Sequence, residues 1–126
     1  MKRQILSFIL VLSLFWTFAC SRVHTEETFY KNGIKSSEIT YVGDTPEGTA
    51  KFWHPNGVLM QENCYKEGQV SGKLTRWHPN GQLEAEEEYA HDLREGFSNA
   101  YSQEGKLLRE SHYVNDTLDG THREFY

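Results

Sequence analysis

The sequence is poor in the residues and motifs that most chemistry needs. It has two cysteines, Cys20 and Cys64, and two thiols form at most one bridge. A disulfide-stapled scaffold is therefore excluded. Nothing beside Cys64 marks it as a nucleophile, so it reads as a small strand residue. Basic residues are outnumbered, 13 Lys and Arg against 18 Asp and Glu, a formal charge of −5. There is no basic patch, which argues against nucleic acid and against an anionic membrane surface as direct partners. The chain has no H-E-x-x-H and no C-x-x-C, and Ser71, Ser98, Ser102 and Ser111 lie outside any G-x-S-x-G elbow. No glycine-rich loop joins a strand to a helix. Zinc, serine-nucleophile and phosphate chemistry thus lack their usual carriers. The sequence predicts no enzyme, no metal and no cofactor.

One apolar run is present. Met1-Lys2-Arg3 gives a positive start, and Ile5 to Ala19 follows as an almost unbroken apolar stretch. It is too short to span a bilayer comfortably and leads into a polar chain, the pattern of a secretory signal over residues 1–19. Once Lys2 and Arg3 are removed, 11 basic side chains face 18 acidic ones, a charge of −7. The run ends in Thr17-Phe18-Ala19-Cys20-Ser21, which resembles the bacterial lipobox. That resemblance implies lipidation of Cys20, a membrane anchor through it, and residues 20–23 as attachment site and short linker. The serine after the cysteine then implies the outer membrane, if the cell has one. Thr17 and Phe18 depart from the usual residues. Cleavage after Ala19 with an unmodified cysteine, giving a soluble periplasmic or secreted protein, stays open.

Beyond residue 23 the chain repeats every 24 residues. Gly33, Gly57, Gly81 and Gly105 keep this step, as do Gly48, Gly72, Gly96 and Gly120. Tyr41, Tyr65, Tyr89 and Tyr113 keep it, as do Glu38, Glu62, Glu86 and Glu110. Phe29, Trp53, Trp77, Tyr101 and Phe125 form an aromatic column. Several columns with one period and no insertion define a repeat array. The domain runs over 24–126, with units 24–47, 48–71, 72–95 and 96–119 and a half unit 120–126.

Within a unit the string Trp-His-Pro-Asn-Gly, at 53–57 and 77–81, is turn chemistry. Pro55 and Pro79 preset φ, Asn56 and Asn80 suit the next position, and Gly57 and Gly81 accept positive φ. This predicts a hairpin whose loop ends in a left-handed glycine with a bulge. The second strand runs from about Val58 to Tyr65, or Gln82 to Tyr89. A looser turn, such as Lys66-Glu67-Gly68-Gln69 or Val114-Asn115-Asp116-Thr117, then leads to the next unit. Leu83 to Tyr89 (LEAEEEY) has helix-forming composition, but the register shared with Leu59 to Tyr65 favours strand. The expected fold is all-β: repeated antiparallel hairpins in an elongated single-layer meander sheet.

Alternation along strands puts Leu59, Leu83 and Leu107 on the face of the tyrosines. Joined with the aromatic column, they predict one apolar stripe as the core. The Glu38/62/86/110 column has the opposite parity and reads as solvated, as does the run Glu84, Glu86, Glu87 and Glu88. His54 and His78 are equivalent residues about 9.5 Å apart, two strand spacings, too far to share a metal ion.

The run Gly72…Trp77-His78-Pro79-Asn80-Gly81-Gln82-Leu83…Glu86…Tyr89…Gly96, and its counterpart from Gly48 to Gly72, resembles the MORN-repeat variant, the unit of proteins called YwqK-family antitoxins. The fourth unit keeps Tyr101 and Gly105 but loses Pro-Asn. The first has Phe29-Tyr30-Lys31-Asn32-Gly33 and no proline. The resemblance implies a non-enzymatic scaffold of stacked hairpins, with Trp53, Gly57, Tyr65, Gly72, Trp77, Gly81, Tyr89, Gly96, Tyr101, Gly105, Tyr113 and Gly120 as its structural positions. It implies a protein partner, or, through the antitoxin name, a partner toxin to be neutralised.

Overall fold

In a computed structural model, residues 22–126 are described; the signal segment and Cys20 lie outside them. Ten strands follow in order: β1 (Val23–Phe29), β2 (Lys35–Val42), β3 (Thr45–Trp53), β4 (Leu59–Lys66), β5 (Gln69–Val70), β6 (Gly72–Trp77), β7 (Leu83–Ala90), β8 (Leu93–Tyr101), β9 (Leu107–Val114) and β10 (Thr117–Glu124). All lie in one antiparallel sheet ordered β1-β2-β3-β4-β6-β7-β8-β9-β10, with β5 paired to β4. Apart from β5 and β6, which both pair with β4, every strand pairs with its neighbours in sequence, and a meander of hairpins is the outcome. The pair β5 and β6 is equivalent to the single strands β3 and β8, interrupted at Ser71. LEAEEEY is strand, because Ala85 and Glu87 turn to the inner face while Glu86 and Glu88 turn away.

Each unit has two turns, and they differ. The first behaves as its sequence predicts. The Gly57 N–H donates to the His54 carbonyl at 2.8 Å, the His54 N–H donates to Val58 at 2.8 Å, and Gly57 has φ +86°. Gly81 (φ +86°) and Gly105 (φ +82°) repeat this geometry. The second turn is the reverse of loose. Lys66 pairs directly with Gln69, Ala90 with Leu93 and Val114 with Thr117, leaving two residues in each loop. Both loop residues take positive φ: Glu67 and Gly68 (+53° and +80°), His91 and Asp92 (+51° and +65°), Asn115 and Asp116 (+47° and +62°). This is the two-residue hairpin turn whose twist matches that of the flanking strands.

The core differs from the expected stripe. Partners across a ladder share a face. One lateral row runs Ile39, Ala50, Asn63, and continues through Leu74, Glu87, Ser98, Ser111 and His122. It contains every fully buried side chain among the described residues, Ala50 and Ser111 at 0% exposure among them. A single layer has no second sheet above it, so these side chains are covered by their neighbours on the same face. The neighbours lean inward: Gln61 Nε2 donates to Asn63 Oδ1 at 3.0 Å, Arg76 Nη1 to Glu87 Oε2 at 3.2 Å, and the Tyr89 hydroxyl to the same oxygen at 3.5 Å. Glu87 is thus not solvated but buried, at 7% exposure, and Ser98 Oγ donates to its second oxygen at 3.3 Å. Burial of a carboxylate is tolerated when it is paired and hydrogen-bonded.

The leucine column also changes face. Arg76 pairs with Ala85, but Trp77 pairs with Leu83, so Glu84 is bulged out of the count. Met60 and Leu108 are bulged in the same way. A bulge inserts one residue and breaks strict alternation. Leu59, Leu83 and Leu107 therefore join the aromatic column on the face opposite the tyrosines. Lys35 corroborates this placement: its Nζ lies 5.4 Å from the Trp53 ring centroid while bonding Glu27 (2.6 Å) and Glu38 (2.7 Å), which share the outer face. The glutamate column sits on that outer face as expected, in a row Glu38, Lys51, Glu62, Thr75, Glu86, Asn99 and Glu110.

Candidate functional site

Both long rims of the sheet are built from repeated turns, and the repeats are bonded to one another. On the first rim the histidine of each Trp-His-Pro-Asn-Gly string reaches into the next unit. His54 Nε2 meets the Trp77 carbonyl at 2.8 Å, and His78 Nε2 meets the Tyr101 carbonyl at 3.0 Å. A carbonyl only accepts, so Nε2 carries the proton in both. In the first unit Tyr30 does the same work, its hydroxyl donating to the Trp53 carbonyl at 2.6 Å. The asparagines form a parallel set. Asn32, Asn56 and Asn80 donate through Nδ2 to the carbonyls of Pro55 (3.0 Å), Pro79 (2.8 Å) and Gln103 (2.9 Å). Their Oδ1 atoms accept the N–H of Ile34, Val58 and Gln82 within their own turns, at 3.0–3.1 Å. In the fourth unit Ser102 replaces histidine. Its Oγ accepts the Glu104 and Lys106 N–H groups at 3.2 and 3.3 Å, holding its own turn without reaching beyond it.

The second rim has its own rail. The N–H groups of Gly43, Gly68, Asp92 and Asp116 donate to Arg22, Pro46, Val70 and Arg94 carbonyls, each at 3.0 Å. Asp92 and Asp116 complete the link with their carboxylates, which accept the N–H groups of Val70 (2.7 Å) and Arg94 (2.9 Å). Arg94 also lies 4.0 Å from the Tyr113 ring centroid and 3.0 Å from Asp116. The Arg94 amide, and then its guanidinium, hold the Asp116 carboxyl below the usual range. Burial pushes the Tyr89 phenol above its usual value.

Trp53, Trp77 and Tyr101 end the strands that enter the first-rim turns, and Gly57, Gly81 and Gly105 close those turns. Tyr65, Tyr89 and Tyr113 stand directly opposite Gly48, Gly72 and Gly96, whose φ values are +89°, +89° and +106°. Gly120 (φ +75°) lies in the equivalent bulge of β10. The rails of Tyr30, His54, His78 and the three asparagines were not anticipated from the sequence. The signal was present in the recurrence of His-Pro-Asn at one phase, but the acceptors are backbone carbonyls, which leave no trace in side-chain identity. His54 and His78 bond backbone carbonyls and are not gathered with a carboxylate and a nucleophile. At the β9–β10 edge His122 does lie between the Ser111 hydroxyl (Oγ to Nδ1, 2.9 Å) and the Glu124 carboxylate (Nε2 to Oε1, 3.4 Å). Among the described residues no three His, Cys, Asp or Glu side chains converge as a metal site would require. Among the same residues, no helix is long and apolar enough to cross a membrane.

These features define a repeat protein of β-hairpins locked unit to unit along both rims. A family model described as MORN repeat variant matches residues 46–67 and 71–91, the two segments that carry Trp-His-Pro-Asn-Gly. Comparison with curated proteins finds no match. The first and fourth units lie outside the matched segments, yet the same rails run through Tyr30 and Asn32 at one end and Gln103 at the other.

Proposed function

We propose that this protein is an exported, lipid-anchored, non-enzymatic repeat module that binds a protein partner in the bacterial envelope, at the outer membrane where the cell has one. The observation that carries the reading is the commitment of the repeated polar side chains to unit-to-unit bonds. His54, His78 and the asparagines hold the scaffold together, and what the described residues offer a partner is two rims, two faces and two edges. Extended repeat surfaces of this kind serve recognition. The anchor rests on the apolar leader and Cys20. Its test is fractionation: the wild-type chain is expected in the membrane pellet and Cys20→Ala in the soluble fraction. A variant that stays in the membrane removes the anchor, while release of both forms favours a soluble periplasmic or secreted protein. Crosslinking in the native envelope followed by purification tests partner binding. The antitoxin reading rests on the family resemblance alone, and it requires that loss of the protein be harmful only when a toxin is also made.

A further inference from the structure

We propose that the outer edge of β10 receives an extended segment of a partner protein as an added antiparallel strand, with an acidic side chain placed opposite Arg123. The proposal rests on the protein-binding reading above and names the surface. The repeat itself shows what such an edge accepts. Position 123 is equivalent to Lys51, Thr75 and Asn99. Each of these inner residues is flanked by glutamates on both neighbouring strands, as Lys51 is by Glu38 and Glu62. Arg123 has Glu110 on one side and no strand on the other among the described residues.

Among the described residues no strand places a tyrosine opposite Gly120, as Tyr65, Tyr89 and Tyr113 stand opposite Gly48, Gly72 and Gly96. The Phe125 N–H turns inward to the Leu108 carbonyl at 2.9 Å. By alternation the amides of His122 and Glu124 turn outward, free to pair with an added strand. Apolar surface is open there too, with Leu118 47% and Phe125 43% exposed. Strand addition to a sheet edge draws affinity from main-chain bonds and selectivity from alternate side chains. The other edge, β1, has Glu27 at the position of Arg123. The same acid-bearing strand is repelled there, because like charges directly opposite one another are destabilising.

The test uses the full chain and a blocked, fluorescent peptide with the sequence of Leu59–Lys66, carrying Cys64→Ser. In the fold this segment lies beside Lys51, as the partner strand would lie beside Arg123. Saturable binding is expected by anisotropy, with slowed amide exchange at His122 and Glu124. Arg123→Glu is expected to weaken binding about tenfold, and a second peptide bearing Glu62→Lys is expected to restore it. Glu27→Arg should leave binding at the β10 edge unchanged. Circular dichroism verifies that both variants fold. No saturable binding, indifference to charge reversal, or protection of β1 in place of β10 overturns the proposal. If crosslinking still captures a partner in that event, the edge assignment fails and the protein-binding reading stands.

Discussion

On the first rim the left-handed backbone falls on glycine: Gly33, Gly57, Gly81 and Gly105 all have φ between +82° and +86°. On the second rim it falls largely on Glu67, His91, Asp92, Asn115 and Asp116, with φ between +47° and +65°. An L-residue there costs about 1–2 kcal/mol. The strain persists because the turn positions are held from outside, by Asp carboxylates and N–H groups bonded to the neighbouring unit. One rim is relaxed in its backbone and tied by side chains that donate to carbonyls of the next unit. The other is strained in its backbone and tied by the strained residues themselves. A repeat thus has two separate ways to keep its phase.

The contrast breaks most sharply at Gly81. A Cβ built there meets nothing within 4 Å, so Gly81→Val reports the backbone penalty alone. A loss of about 2 kcal/mol is expected for a β-branched residue forced to positive φ, seen in thermal or urea melts. His78→Ala removes one bond and leaves the Tyr101 carbonyl without its partner, and should cost about 1 kcal/mol. A larger effect for His78→Ala than for Gly81→Val would show that side chains and not backbone conformation set the first rim. On the second rim the sign reverses. His91→Asn should stabilise by about 0.5 kcal/mol, because asparagine tolerates the left-handed region better and His91 bonds only to Gln69 on the surface.

Acidification separates the rims with the smallest effect. The Asp116 carboxyl is depressed in the folded chain. Its stabilising contribution is present above its unfolded value, about 3.9, and is lost as pH falls through the lower folded value. Exchange of the Arg94 amide should accelerate over that window. Nε2 of His54 and His78 remains a donor in both the neutral and the protonated ring. The first-rim amides of His54 and His78 should therefore keep their exchange rates over the same titration.

How much was legible in the sequence follows from what carries each feature. The period, the strands and the glycine-closed turn were legible because Pro, Asn and Gly have strong local preferences. The second turn was misread as loose. Glu67-Gly68, His91-Asp92 and Asn115-Asp116 have no residue type common to all three, and only the two-residue interval marks them as one turn. The leucine column was assigned to the wrong face because Met60, Glu84 and Leu108 have nothing in common that announces a bulge. Glu87 was counted with its solvated neighbours because strand parity gives direction but not the cover supplied by Arg76, Ser98 and Tyr89. Cys20 and the leader lie outside the described residues, and the lipid anchor remains a proposal to be tested in cells.

The linear strand order has a mechanical corollary. Among the described residues each strand pairs only with its immediate neighbours in the sheet, and the terminal strands β1 and β10 lie at opposite ends. Tension applied between β1 and β10 would pass through the hairpins in series, with only the rim bonds between successive units to share the load. The array should therefore extend by shedding units from its edges. Each unit releases 24 residues, about 80 Å of extended chain, and the hairpins between the free edges keep their geometry while the outer ones yield.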